Sequence, residues 1–388
     1  MPGRKLRPPK LPGQTTEHAD NGGPPLRTHG VRLAAAPGPL VPAGEPLQVA
    51  SMRLRILTES DLRAAVDMPA AIRAVRAGFE ALSTGRAHVP VRQAVDAAGV
   101  TLLSMPAFLQ QGAEGGGAAL GSKLVTVAPG NRARGLPSIH ALVILLDPQT
   151  GEPRAALDGE WLTALRTGAG SGVATDLLAR PDAEILGVIG AGAQARAQIE
   201  AVRVVRPIQE VRICSRSGDS AARLAAALAE EGIPGARAVS GPAEATRDAD
   251  VVVTATDSRV PVVQAAALRP GVHINAVGGF RRDMQELPTE VVARADVVAV
   301  DQVDAGLREA GDLWIPLEAG RIQRGDLVEI GALAASARAD GSPPGGCRPR
   351  GAAITIFKSV GNAVQDLAVG GLALANAEAR ELGTVVGE

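Results

Sequence analysis

Leu186 to Val202 reads LGVIGAGAQARAQIEAV, and its reading decides the architecture. An apolar run reaches Gly190, passes Ala191, Gly192, Ala193 and Gln194 to Ala195, and opens into a helical pattern. Strand, glycine turn and helix in that order form the dinucleotide-binding fingerprint, here G-x-G-x-x-A. Gly190 permits the tight turn. Gly192 lets a pyrophosphate approach the backbone, and Ala195 keeps the helix against the sheet. The free N–H groups and positive dipole end of that helix favour an anion.

The pattern continues outward from this unit. EVRICSR, ADVVVTATDS, GVHINAVGG and ADVVAVD alternate with helical stretches after Pro181, which implies a parallel sheet. The strand EVRICSR ends in Ser215 and Arg216 rather than an acid. A carboxylate there would hold ribose hydroxyls; a hydroxyl and a guanidinium would receive a 2′-phosphate, so NADP(H) is the expected cofactor and NAD(H) the alternative. Thr256, in ATDS, ends another strand beside the expected nicotinamide half.

Upstream of the fingerprint the pattern differs. TESDLRAAVDMPAAIRAVRAGFEAL has a cap at Thr58 or Ser60 and helical apolar spacing. VPVRQAV, VTLLSM, GSKLVTVAP and HALVILLD are strand-like, and DPQTGEP turns the last into RAALDG, giving an antiparallel sheet with a hairpin. EWLTALRTGAGSGVATDLLA is a helix with glycines at 168, 170 and 172; these mark close helix packing or approach of a ligand. Arg92, Lys123 and Arg166 stand in apolar surroundings. A buried cation needs an anion, either an internal Asp or Glu or a carboxylate-bearing substrate.

The 388-residue total sets bounds. Charged residues are 21% and the net charge is −1, with 2% aromatics and no Tyr, so neither a nucleic-acid partner nor an anionic membrane surface is expected. No apolar run approaches the roughly 18 residues that cross a bilayer. Two cysteines without a CxxC and five scattered histidines require no disulfide framework and no metal, and the default setting is a reducing cytoplasm. Residues 1–51 are rich in Pro, Gly and polar residues and are expected to be a disordered extension, with Met52 as a second candidate start of translation.

The ordered set GSKLVTVAPGNRARGLPSIHALVILLDPQTGEPRAALDGEWLTALRTGAGSGVAT, GAGAQA, HINAVGG and FKSVGNAVQDLA resembles the ornithine cyclodeaminase/mu-crystallin family, from about Met52 to the C-terminus. The resemblance implies an α/β fold with a Rossmann dinucleotide-binding domain inserted into a discontinuous α+β substrate and dimerisation domain. The corresponding ranges are 52–172 plus 351–388 for the substrate domain and 173–350 for the Rossmann domain. It implies a homodimer acting on a small amino-acid-like or cyclic imine substrate. By the same resemblance Arg92 and Lys123 hold the substrate carboxylate, and Arg166 touches substrate and cofactor. Ser138, Thr167, Ala193, Gln194, Ser215, Thr256, Ala276 and Val277 match cofactor contacts. Ser359 and Val360 match a loop that covers the site.

In the cyclodeaminases of the family an Asp doing acid–base work follows the Gly-Gly pair; here that position is Phe280, which cannot transfer a proton. The nearest acid, Asp283, would need a different loop path. Members without the Asp resemble imine reductases and amino-acid dehydrogenases. The implied activity is NADPH-dependent reduction of a small cyclic ketimine carboxylate, of the Δ1-pyrroline-2-carboxylate type, with Lys123 as carboxylate anchor and candidate proton donor. The alternatives are a cyclodeaminase-type lyase with bound NAD, turning ornithine into proline and ammonia, and a non-enzymatic NADPH-dependent ligand-binding protein. Substrate ring size depends on loops near Phe280, Trp314 and 341–350.

Overall fold

In the computed structural model the described residues are 52–110, 117–233, 235–336 and 353–387. The expected extension 1–51 and the loop at 341–350 lie outside them. Thr58 closes a capping box with Asp61 and starts the helix Glu59–Ala65, and the Asp67 carboxylate accepts from Ala70 N at 2.9 Å to start Met68–Ser83. Each cap satisfies an amide that the first helical turn would leave without a partner.

Among the described residues the first sheet has eight strands. Its spine is Pro153–Asp158, Ile139–Leu146, Ala119–Val127 and Val100–Leu109, all paired antiparallel, with the DPQTGEP hairpin joining the first two. Leu54–Leu57 adds in parallel beside Pro153–Asp158, and Thr384–Val386 pairs antiparallel with it at the edge. Alternation along Ala119–Val127 turns Ala119, Gly121, Lys123 and Val125 to the covered face. Lys123 is therefore buried by register, against the helix Ala363–Ala379.

The second sheet is parallel throughout. Its order is Ala236–Ala238, Glu210–Cys214, Ile185–Ile189, Val251–Thr254, His273–Ala276, Thr355–Lys358, Val297–Val300, Leu327–Glu329. The chain moves outward on one side of Ile185–Ile189 and then resumes on the other. That switch opens a crevice at the carboxyl ends of Ile185–Ile189 and Val251–Thr254, where such sheets bind ligands.

The tail divides differently from a single 351–388 block. Thr355–Lys358 is a central strand of the second sheet, and Ala363–Ala379 and Thr384–Val386 return to the first. TIFK is buried at every position, which is what a central parallel strand requires. The helix Gly159–Leu178 likewise runs across the expected 172/173 boundary.

That helix joins the two sheets. Asn275 donates to Thr175 Oγ1 at 2.9 Å, and His273 sits between Thr355 Oγ1 and Asn275 Oδ1. Burial pushes the His273 ring down to about 3, so it is neutral. Of the two readings of the helix glycines, packing is the one the contacts support: a Cβ on Gly168 would stand 2.5 Å from the Ala197 carbonyl oxygen, and one on Gly172 would stand 2.7 Å from Ile72. Among the described residues no helix is long and apolar enough to cross a membrane.

Replacing Gly168 with Ala tests this closeness. Helix propensity favours the change by up to about 1 kcal/mol. The clash with fixed backbone outweighs it, and denaturant unfolding is expected to show a net loss of roughly 1–3 kcal/mol. A stabilised variant would contradict the packing.

Candidate active site

The glycine turn has the geometry its sequence demands. Gly190 has φ +110°, and a Cβ there would stand 2.4 Å from the Ala255 carbonyl oxygen. Gly192 faces open space and begins the helix Ala193–Val205 with no side-chain cap. The amides of the first turn are thus left for an outside acceptor. Ala193 and Gln194 sit at this opening, Gln194 with a side-chain oxygen that has no partner among the described residues; Ala195 is buried in the core.

Two expected cofactor positions behave unlike one another. The Ser215 hydroxyl accepts from Ala221 N at 3.1 Å and from Ser220 at 2.8 Å. It is committed to the start of the next helix, Asp219–Glu230. Arg216 is exposed and pairs with Asp257 at 2.7 Å. The two charges come from the strands on either side of Ile185–Ile189 and so meet across the crevice.

On the other side of that crevice, Thr256 and Val277 follow the ends of adjacent strands, and Ala276 ends one of them. Thr167 bonds back to the Thr163 carbonyl, and Ser138 is half-buried, its carbonyl accepting from Ala128 N.

The three expected cations all have internal acids. Asp366 accepts Lys123 Nζ at 2.8 Å and Arg166 Nε at 3.0 Å, while Arg166 also reaches Gln365 at 2.9 Å. Arg92 pairs with Glu309 at 2.6 Å and donates to the carbonyls of Val360 and Gly361 at 3.1 and 2.9 Å. Asp301 holds the same loop from beneath, accepting from Ser359 Oγ, Val360 N and Gly361 N. The loop follows Thr355–Lys358, whose end lies beside Ala276. Arg92 and Arg166 therefore meet at the carboxyl edge of the second sheet, and Lys123 joins them through Asp366. Burial, then the Arg166 charge, pushes the Lys123 ammonium down to about 8, against the pull of Asp366.

Sequence reasoning left out Asp366, Glu309 and Asp301. An acid inside the apolar run NAVQDLAVGG was the signal for the first, since such a carboxylate must find a cation.

At the Gly278–Gly279 turn, Phe280 is half-buried. Asp283 is exposed and held by Arg281 at 2.8 Å and Arg259 at 3.3 Å, so it does not stand in for the missing acid. The turn is instead bound from within by Glu286, whose carboxylate accepts from Gly278 N and Gly279 N.

A profile of the ornithine cyclodeaminase/mu-crystallin family matches residues 52–381. A Δ1-pyrroline-2-carboxylate reductase of Bacillus cereus is 39% identical over 317 residues, which is 81% of this chain and 94% of that one. The Thermococcus litoralis Δ1-pyrroline-2-carboxylate reductase, solved with NADH and L-proline, superposes with a TM-score of 0.78 at 37% identity, over 86% of this chain and 100% of that one. An archaeal alanine dehydrogenase dimer with bound NAD superposes with a TM-score of 0.77 at 34% identity, over 86% and 99%.

The lowered Lys123 value makes stability depend on pH. Between about 8 and the ordinary 10.5 the unfolded chain carries the proton and the folded one does not. Folding therefore gains on this group as pH rises through that window and loses as pH falls toward 8. The stability of the wild type relative to Lys123→Met should rise steadily between pH 8 and 10.5. A constant difference between them would contradict the buried, depressed lysine.

Proposed function

The chain belongs to the ornithine cyclodeaminase/mu-crystallin family and is an NAD(P)-dependent oxidoreductase, and from that premise we propose that it reduces a small cyclic ketimine carboxylate of the Δ1-pyrroline-2-carboxylate type to the L-amino acid, with NADPH preferred. The observation that carries this reading is the gathering of Arg92, Lys123 and Arg166 at the loop Ser359–Gly361, opposite a turn whose following residue is Phe280.

Three cations share two directly paired acids, and they have donors to offer a substrate carboxylate. Arg92 and Arg166 would hold it by charge-assisted bonds, and Lys123 would lie beside the imine. The fixed carboxylate sets the C=N carbon over the crevice, so that position rather than proton chemistry limits the rate. The reduced nicotinamide, when bound, supplies the hydride. A cyclic iminium is already protonated near neutrality, and a Lys123 ammonium near 8 can restore that proton. Glu286 and Asp283, occupied as described, leave the Phe280 turn without an acid for ammonia elimination.

NADPH preference rests on Arg216, whose exposed guanidinium would leave Asp257 for a 2′-phosphate. The residues of the substrate side, the two helices packed on them and the parallel sheet fit a substrate domain with an inserted Rossmann domain. A homodimer is supported by the outer face of the first sheet, where Val95, Leu102 and Leu142 are exposed. Cytoplasm is the compartment proposed.

With Δ1-pyrroline-2-carboxylate, NADPH absorbance at 340 nm should fall, with no ammonia from L-ornithine plus NAD. Arg216→Ala should raise KM for NADPH by about tenfold with KM for NADH nearly unchanged. Ammonia and proline from ornithine without net cofactor change would replace the reductase with a lyase. Sedimentation at twice the chain mass is expected, and a species of one chain mass would contradict the dimer.

A further inference from the structure

A fully buried cluster of three charges lies beneath the Phe280 turn, apart from the cations assigned to substrate. Glu286 Oε1 accepts from Thr256 N at 2.7 Å and Thr256 Oγ1 at 2.8 Å. Its Oε2 accepts from Gly278 N at 2.8 Å and Gly279 N at 3.1 Å. Asp312 Oδ1 accepts from Glu286 N and Leu287 N at 2.7 and 2.8 Å, and its Oδ2 meets Lys358 Nζ at 3.0 Å. Glu286, Asp312 and Lys358 are all 0% exposed.

The cluster has a definite place in the topology. Thr256, Gly278 and Lys358 stand at or just past the ends of three adjacent strands, Val251–Thr254, His273–Ala276 and Thr355–Lys358. Past their ends the chain must diverge to make a crevice. One carboxylate bridges the first two loops and, through Asp312, is tied to the third. Burial pushes the Glu286 carboxyl up, against the Lys358 charge and the Thr256 bonds, but four donors on its two oxygens use the acceptor capacity of the ionised form and leave no room for a proton. A neutral amide could accept at one atom only and would turn its NH2 toward two backbone N–H groups. Room here is also short: a Cβ on Gly279 would lie 3.2 Å from Asp312 Oδ2.

We propose that Glu286 is a positioning residue: its ionised carboxylate sets the spacing of the Thr256 and Gly278–Phe280 loops, and so shapes the nicotinamide end of the crevice without touching substrate. This rests on the dinucleotide reading of the site. The glycine turn that would take the pyrophosphate packs on Ala255 and Thr256 but makes no hydrogen bond with Glu286, whose four donors come from Thr256, Gly278 and Gly279. Loss of the carboxylate therefore disturbs the nicotinamide half of the cofactor more than the other.

Fluorescence and calorimetric titration of Glu286→Gln against wild type, using ADP-ribose, NADH and NADPH, separates the halves. ADP-ribose, which lacks the nicotinamide, should bind within about twofold of wild type, while both dinucleotides weaken by about tenfold, because a charged acceptor of four bonds is lost on one side only. Glu286→Asp, which keeps the charge but shortens its reach to the two loops, should show the same pattern to a smaller degree and carries the test if the glutamine variant does not fold. Equal weakening of ADP-ribose and the dinucleotides would mean a general structural role and overturn the proposal, as would no weakening of either. Wild type that binds none of the three would overturn the cofactor assignment itself.

Discussion

One buried carboxylate organises the cation cluster of this protein. Asp366 takes Lys123 from a strand of the first sheet at 2.8 Å and Arg166 from the central helix at 3.0 Å. Two cations brought this close without it would repel, and removing one partner of a buried pair costs on the order of 3–5 kcal/mol. Such a pair is weak evidence for stability, since a well-packed apolar set often does as well. Its retention makes sense as a device for keeping ammonium and guanidinium groups dry and aimed. Asp366 can do this because its helix starts just past Thr355–Lys358, the strand that carries the tail into the second sheet.

From that arrangement the rest follows by connection. The turn between that strand and that helix, Ser359–Gly361, is gripped by Asp301 from below and by Arg92 from across the cleft. The helix Gly159–Leu178 brings Arg166 to the same place and reaches the second sheet through the Thr175–Asn275 bond. Cations from one part of the chain thus face strand ends from another. A site of this kind is suited to a reaction that needs a held anion and a stacked cofactor more than a strong base. Phe280 fits that picture, because the turn it follows is bound internally and the nearby Asp283 is neutralised at the surface.

Some of this was legible in the sequence and some was not, for physical reasons. The glycine turn was legible because strand, turn and helix are local and their residue types are dictated by backbone geometry. Lys123 was legible as a buried cation because a strand alternates and its neighbours are apolar. Its partner was not, since Asp366 is 243 residues away and only the fold brings them together. Nothing in the local sequence around Glu286 or Glu309 marks either acid as buried. Ser215 is ambiguous for a local reason: in SRSGDS a hydroxyl can serve a ligand or the next helix, and here it accepts from Ser220 and Ala221 while keeping its own O–H to donate. TIFK was assigned to the wrong layer because a short apolar strand does not reveal which sheet it joins.

In the proposed reaction a hydride reaches the imine carbon beside a held carboxylate. The most direct measurement follows deuterium from C4-labelled NADPH or NADH during turnover of Δ1-pyrroline-2-carboxylate. Label at Cα of the proline product, one for each cofactor oxidised, is the predicted result. Unlabelled product, or label that stays with the cofactor while an amine substrate loses ammonia, would contradict it.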